Sequence, residues 1–119
     1  MMSAATDLIV RYYQSLECRD IDAVLAVTHP RIHFHDFLDG GEIDGLSAAR
    51  DFYRRMFELA PDLDLIAVED LPDGSVRADM QSSVHSPSGQ LWSDTRNEAI
   101  YAIADGLIVG IELNGPLPR

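Results

Sequence analysis

The pattern of apolar and polar positions changes twice along the chain, and each change marks a shift in secondary structure. Leu8, Ile9, Tyr12 and Leu16 fall at helical spacing and make one apolar stripe, which predicts a helix over 5–17 with Tyr13 beside the stripe. Thr6 or Ser3 is available to cap its start. Asp20 is a good cap for a second, short helix with Ile21, Val24, Leu25 and Thr28 inward, and His29-Pro30 ends it. With so few residues between them, the two helices should pack as a hairpin. From Arg31 the period drops to two: Ile32, Phe34 and Asp36 alternate with His33, His35 and Phe37. Asp39-Gly40-Gly41 is turn chemistry, and Glu42-Ile43-Asp44-Gly45 leads into a third helix. Ser47 is its expected cap, Ala49, Phe52, Tyr53, Met56 and Leu59 its apolar side, and Pro61 its stop.

Beyond Pro61 the pattern is that of strands. Residues 63–69 and 76–84 flank an Asp73-Gly74 hairpin turn, with Val76, Ala78, Met80, Ser82 and Val84 alternating on the second. Ser86-Pro87-Ser88-Gly89 is a turn, a long strand covers 90–104, Asp105-Gly106 reverses it, and 107–113 is the last strand, closed by Asn114-Gly115-Pro116. Helices segregated before an antiparallel meander predict an α+β fold of one domain over 1–119, with three helices on a curved, mostly antiparallel sheet and a cavity between the layers. There are no repeats and no linker.

Composition narrows the partners. A formal charge of −11, without a single lysine, repels nucleic acid and anionic membranes. No apolar run approaches the roughly 18 residues of a membrane span, and the opening residues lack a signal-peptide pattern. Cytoplasmic location is the expectation. Cys18 cannot make an internal disulfide and is read as a helix packing residue. The remaining expectation is a small-molecule or protein partner.

The candidate chemistry centres on 31–45. If the face of Ile32 and Phe34 is the core, Asp36 is a carboxylate at the end of an apolar row, and burial would raise its pKa towards that of a proton carrier. The alternative is that the strand stops at Phe34 and Asp36 opens a solvated turn. His33-x-His35 with Asp39, Glu42 and His29 resembles a metal set, yet its face is opposite to that of Asp36, so surface or interface residues are the favoured reading. Asp94, Arg96 and Glu98 alternate on one face of the long strand, as a solvated or dimer-facing ladder would. Trp92 is read as an interface residue and His85 as an exposed turn residue or one at a cavity mouth. Nucleotide-binding, hydrolase and redox motifs are missing from the sequence.

The order of elements, with R-Y-Y-Q-S-L-E-C-R-D-I-D-A-V-L-A-V, the strand ending H-D-F, and G-L-S-A-A-R-D-F-Y, resembles the nuclear-transport-factor-2-like superfamily of cone-shaped α+β folds. The chain is most similar to its ketosteroid isomerase and SnoaL-like polyketide cyclase branch. The resemblance covers residues 6–114 and implies a cofactor-independent isomerase or cyclase acting on a small apolar carbonyl compound, with no metal and in a homodimer. Tyr12 falls on the oxyanion-hole tyrosine and Asp36 on the general base, which in ketosteroid isomerase moves a proton beside a carbonyl. The second oxyanion acid of that family is replaced by Ala99, leaving Asn97 as the auxiliary donor on the same face. Loss of one such donor typically costs about 10²–10³-fold in rate. Phe34, Phe52, Met56, Met80 and Tyr101 are the expected apolar walls. A non-catalytic ligand-binding or dimerisation module is the alternative.

Overall fold

A computed structural model of the chain describes residues 3–36, 38–59, 62–85 and 91–114, with the side chains of 59, 84, 85 and 91–94 left aside. The helix α1 (Ala4–Glu17) begins at Ser3, whose hydroxyl accepts from the Thr6 backbone N–H at 3.1 Å. It ends where Arg19 turns left-handed, with φ of 52°. Asp20 then caps α2 (Ile21–Ala26) by accepting from the Ala23 N–H. The third helix, α3 (Gly45–Leu59), starts two residues before the expected Ser47. Its first residue, Gly45, has φ of 84°, a conformation few other residues adopt comfortably.

Among the described residues the sheet has six strands in the order β2-β1-β6-β5-β4-β3: β1 (Thr28–His35), β2 (Glu42–Asp44), β3 (Asp62–Asp70), β4 (Val76–His85), β5 (Leu91–Ala104) and β6 (Leu107–Asn114). It is open, with β2 and β3 at its edges. All neighbours are antiparallel except β1 and β6, which run parallel. The short β2 is an element that periodicity missed, because three residues are too few to display alternation. The strand β1 also starts earlier than expected and runs through Pro30. Proline has no N–H to donate, and the register with β6 slips between Thr28 and His33, where that missing donor is absorbed. The β5–β6 turn is built on Asp105 and Gly106, both at positive φ, the geometry of a two-residue hairpin that matches strand twist.

The three helices lie on one face of the sheet. α1 packs against β3, α3 against β1, and α2 contacts both helices. The inner face is read from burial: Ile32 and Phe34 on β1, Val76, Ala78 and Met80 on β4, Ala99 and Tyr101 on β5, and Ile108 on β6. On the helices, Leu8, Ile9, Tyr12, Tyr13 and Leu16 meet Phe52, Tyr53 and Met56. The outer face carries Arg77, which pairs with Glu69, Asp79 and Glu98. Glu98 thus joins an ion ladder, and Arg96 beside it is exposed. Cys18 is exposed at the end of α1 rather than packed, because the helix stops before its position can face the core. The side chains of Asp94, Trp92 and His85, and the whole of the expected turn at 86–89, lie outside the described residues. So do Phe37, Pro61 and the closing Gly115-Pro116. Among the described residues, no helix is long and apolar enough to cross a membrane.

Phe52 is 1% exposed and meets Phe34 and Tyr53 edge-on, with ring centroids 5.0 and 5.3 Å away. Phe52→Ala should destabilise the fold by about 3–5 kcal/mol in urea unfolding, since a large aromatic leaves a void the surrounding elements cannot close.

Candidate functional site

A cavity of about 210 Å³ lies between the helices and the inner face of the sheet. Helix residues Tyr12, Tyr13, Leu16, Phe52, Tyr53 and Met56 form its roof. Phe34, Met80, Ser82, Asn97, Ala99 and Tyr101 form its floor, with Leu38, Leu63, Ile111 and Leu113 around the edge. None of these is charged. The space is small beside the roughly 300–1,000 Å³ of a drug-sized ligand site.

All four tyrosines of the chain meet here. The Tyr12 and Tyr53 hydroxyls are 2.7 Å apart, as are those of Tyr13 and Tyr101. The rings cross edge-on, Tyr12 lying 5.4 Å from both Tyr13 and Tyr101. The spacing of α1 explains the arrangement. Tyr12 continues Leu8 on one stripe, Tyr13 continues Ile9 on the neighbouring one, and both stripes are buried. Burial pushes all four phenols up from their ordinary value of 10.0, Tyr13 to about 12.

A count of protons identifies what the cluster offers. Each hydroxyl has one hydrogen to donate. That of Tyr13 goes to the Met80 sulfur at 3.3 Å, so Tyr101 must donate to Tyr13. Tyr12 and Tyr53 need only one hydrogen between them. One of that pair therefore keeps an O–H that no described atom accepts, on the wall of an apolar cavity.

Asp36 stands differently. It is 4% exposed and shares the inward face of Phe34, yet it is not on the cavity wall. Its carboxylate closes the β1–β2 turn, accepting from the backbone N–H groups of Leu38 and Asp39 at 2.9 and 3.0 Å, and from the Arg55 guanidinium at 3.0 Å. Arg55 also pairs with Asp39 and lies over the Phe52 ring. The expected rise in pKa is reversed. The Asp39 N–H, with the Leu38 N–H and Arg55, holds the carboxyl below its ordinary 3.8, against the opposing effect of burial. The strand ends at His35, one residue beyond the Phe34 of the turn alternative, and Asp36 follows it in the turn, buried rather than solvated.

Of the expected site residues, Tyr12, Asn97, Phe34, Phe52, Met56, Met80 and Tyr101 surround the cavity, and Asp36 lies beside it between the wall residues Phe34 and Leu38. Ala99 lies between Asn97 and Tyr101 on β5, fully buried, with no polar group to offer. Sequence reading gave no polar role to Tyr13 or Tyr53. The signal was present: Ile9, Tyr13 and Leu16 keep helical spacing, and a buried phenol must find a partner. His33 and His35 are exposed on the other face, where Asp44 and Glu42 take the His33 ring. Among the described residues no group of three or more His, Cys, Asp or Glu could hold a metal ion.

Residues 9–111 match the sequence profile of the SnoaL-like domain, and the chain belongs to that family. No curated protein matches it in sequence. Among solved structures it is similar to the epoxide hydrolase/cyclase-like enzyme SalBIII of pyran ring formation in salinomycin. That match has 13% identity and a TM-score of 0.81, and covers 92% of this chain and 88% of that one. It is also similar to RV0760c from Mycobacterium tuberculosis in complex with estradiol-17beta-hemisuccinate, at 15% identity, 92% of each chain and a TM-score of 0.79. A proposed polyketide cyclase from Sinorhizobium meliloti matches at 17% identity over 95% of this chain and all of that one, with a TM-score of 0.78. At these identities the likeness concerns the fold.

Two titrations follow from these environments. A phenol with a raised folded pKa contributes stability below its unfolded value that is lost as pH climbs through the folded one. Phenolate absorbance should therefore stay flat through pH 10 and rise only with cooperative unfolding. Asp36 has the opposite sign, contributing above 3.8 and losing its contribution as pH falls through its depressed value. Its carboxyl carbon should titrate below 3.8 by NMR and move up in Arg55→Ala.

Proposed function

We propose that this SnoaL-like chain binds a compact, mostly apolar molecule carrying a carbonyl or hydroxyl oxygen, and that the Tyr12–Tyr53 pair meets that oxygen. The surplus O–H donor is the observation that carries the reading. A hydroxyl left unpaired in an apolar space costs about 1–3 kcal/mol, and an acceptor oxygen on a ligand removes that cost. The uncharged wall favours a neutral molecule, and the volume favours one or two fused rings. The similar structures include an epoxide hydrolase/cyclase-like enzyme, a proposed polyketide cyclase and a protein in complex with a steroid derivative, which supports a small-molecule role for this cavity.

The second reading is an isomerase or cyclase of ketosteroid isomerase type, with Tyr12 donating to a developing enolate, Asp36 moving the proton and Asn97 assisting. Tyr12 on the wall, and Asp36 between the wall residues Phe34 and Leu38, support this. Its requirement is explicit: Arg55 must leave Asp36 Oδ2, and the carboxylate must turn towards the cavity, before a carbon acid can reach it. A carboxylate held by three donors is a weak base, and that favours the binding reading.

Naphthol, whose own fluorescence reports binding, separates these readings. Because either hydroxyl of the pair can supply the surplus proton, Tyr12→Phe and Tyr53→Phe should each keep most of the affinity. The double variant should lose roughly two- to tenfold, the worth of one hydrogen bond. Asp36→Asn should leave binding unchanged. Naphthalene binding as tightly as naphthol would remove the hydroxyl's role. Turnover of an unsaturated ketone that disappears in Asp36→Asn and survives in Arg55→Ala would select the second reading.

A further inference from the structure

The cavity has a second polar group at its other end. On β5, inward-facing Tyr101, Ala99 and Asn97 step from the buried tyrosines towards the opening; at roughly 3.3 Å per residue, Asn97 is about 13 Å along the strand from Tyr101. On β4, Met80 is paired with Asn97 and Ser82 follows two residues on, again inward. Exposure rises in the same direction: Ala99 and Ala78 are fully buried, Ser82 and Asn97 are half-buried, and Leu113, paired with Ala99 from β6, is 36% exposed. The mouth is therefore at the Ser82–Asn97 end.

Ser82 and Asn97 sit diagonally across two adjacent strands on one face, close enough for both to touch one small group. Among the described residues neither side chain has a hydrogen-bond partner. A hydroxyl and an amide each donate and accept, and neither carries charge. They complement a neutral hydroxyl or carbonyl, and any apolar group seated there would strand them without water.

We propose that Ser82 and Asn97 form a second polar subsite, at the cavity mouth, that recognises a neutral oxygen function at the end of the ligand remote from the tyrosines. This rests on the binding reading above and narrows it: the ligand is a compact ring system with oxygens at both ends. Asn97 then selects the ligand and does not complete an oxyanion hole. A hydroxyl or carbonyl that meets this pair gains about one hydrogen bond over an analogue that lacks it, which makes the pair a specificity determinant.

The test compares naphthol with a dihydroxynaphthalene whose hydroxyls lie at opposite ends, by fluorescence titration of the full chain. The second hydroxyl should tighten binding roughly two- to tenfold. That gain should vanish in the Ser82→Ala/Asn97→Ala double variant, which should bind the two probes equally tightly. Ser82→Ala alone, which removes a single oxygen, should shrink the gain and serves if the double variant fails to fold. Naphthol binding without any gain from the second hydroxyl overturns the subsite and leaves the cavity reading standing, as does a gain that persists in the variants. Failure of both probes to bind the unmodified protein overturns the cavity reading, and the subsite with it.

Discussion

Four phenol hydroxyls buried in one place impose the constraint on which this structure turns. An unpaired polar group in an apolar interior is costly, so each hydroxyl has to find a partner, and the partners come from different elements. Two tyrosines stand on α1, one on α3 and one on β5. The pairs Tyr12–Tyr53 and Tyr13–Tyr101 thus tie the first helix both to the third helix and to the sheet. Large rings meeting edge to edge hold these elements apart as well as together. The cavity is the room left between layers spaced by aromatic side chains.

The fold was largely legible from the chain. Leu8, Ile9, Tyr12 and Leu16 gave α1, Asp20 gave the start of α2, and the Asp-Gly pairs at 73–74 and 105–106 gave two hairpins. What escaped was set by contacts distant in sequence. The strand β2 exists because Glu42–Asp44 pairs with β1, and the extension of β1 through Pro30 depends on a slipped register with β6. Neither leaves a local periodicity to read. Cys18 was misjudged because the helix ends one residue before it.

The candidate site was legible in part, for a related reason. Alternation placed Asp36 inward, and it is inward. Its state of ionisation was not available from alternation, because the groups that decide it are two backbone N–H donors of a turn and an arginine nineteen residues further on, Arg55. The resemblance that sets Asp36 on an isomerase's general base is thus compatible with an aspartate that caps a turn. Family membership describes the scaffold, and the chemistry depends on a few side chains arranged upon it.

The position of β6 has a consequence for how the chain reaches this state. It is the last of the described strands in sequence, yet it sits in the middle of the sheet, joining the β1–β2 hairpin on one side to the β3–β5 meander on the other. Until residues 107–114 are available, the two halves have no hydrogen bonds between them, and β1 offers a bare edge. Contacts between the ends of a chain close the longest loop and raise contact order, which slows folding. On the ribosome, the sheet therefore cannot be joined until the last strand has emerged, and the nascent β1 edge stays open to other strands throughout that interval.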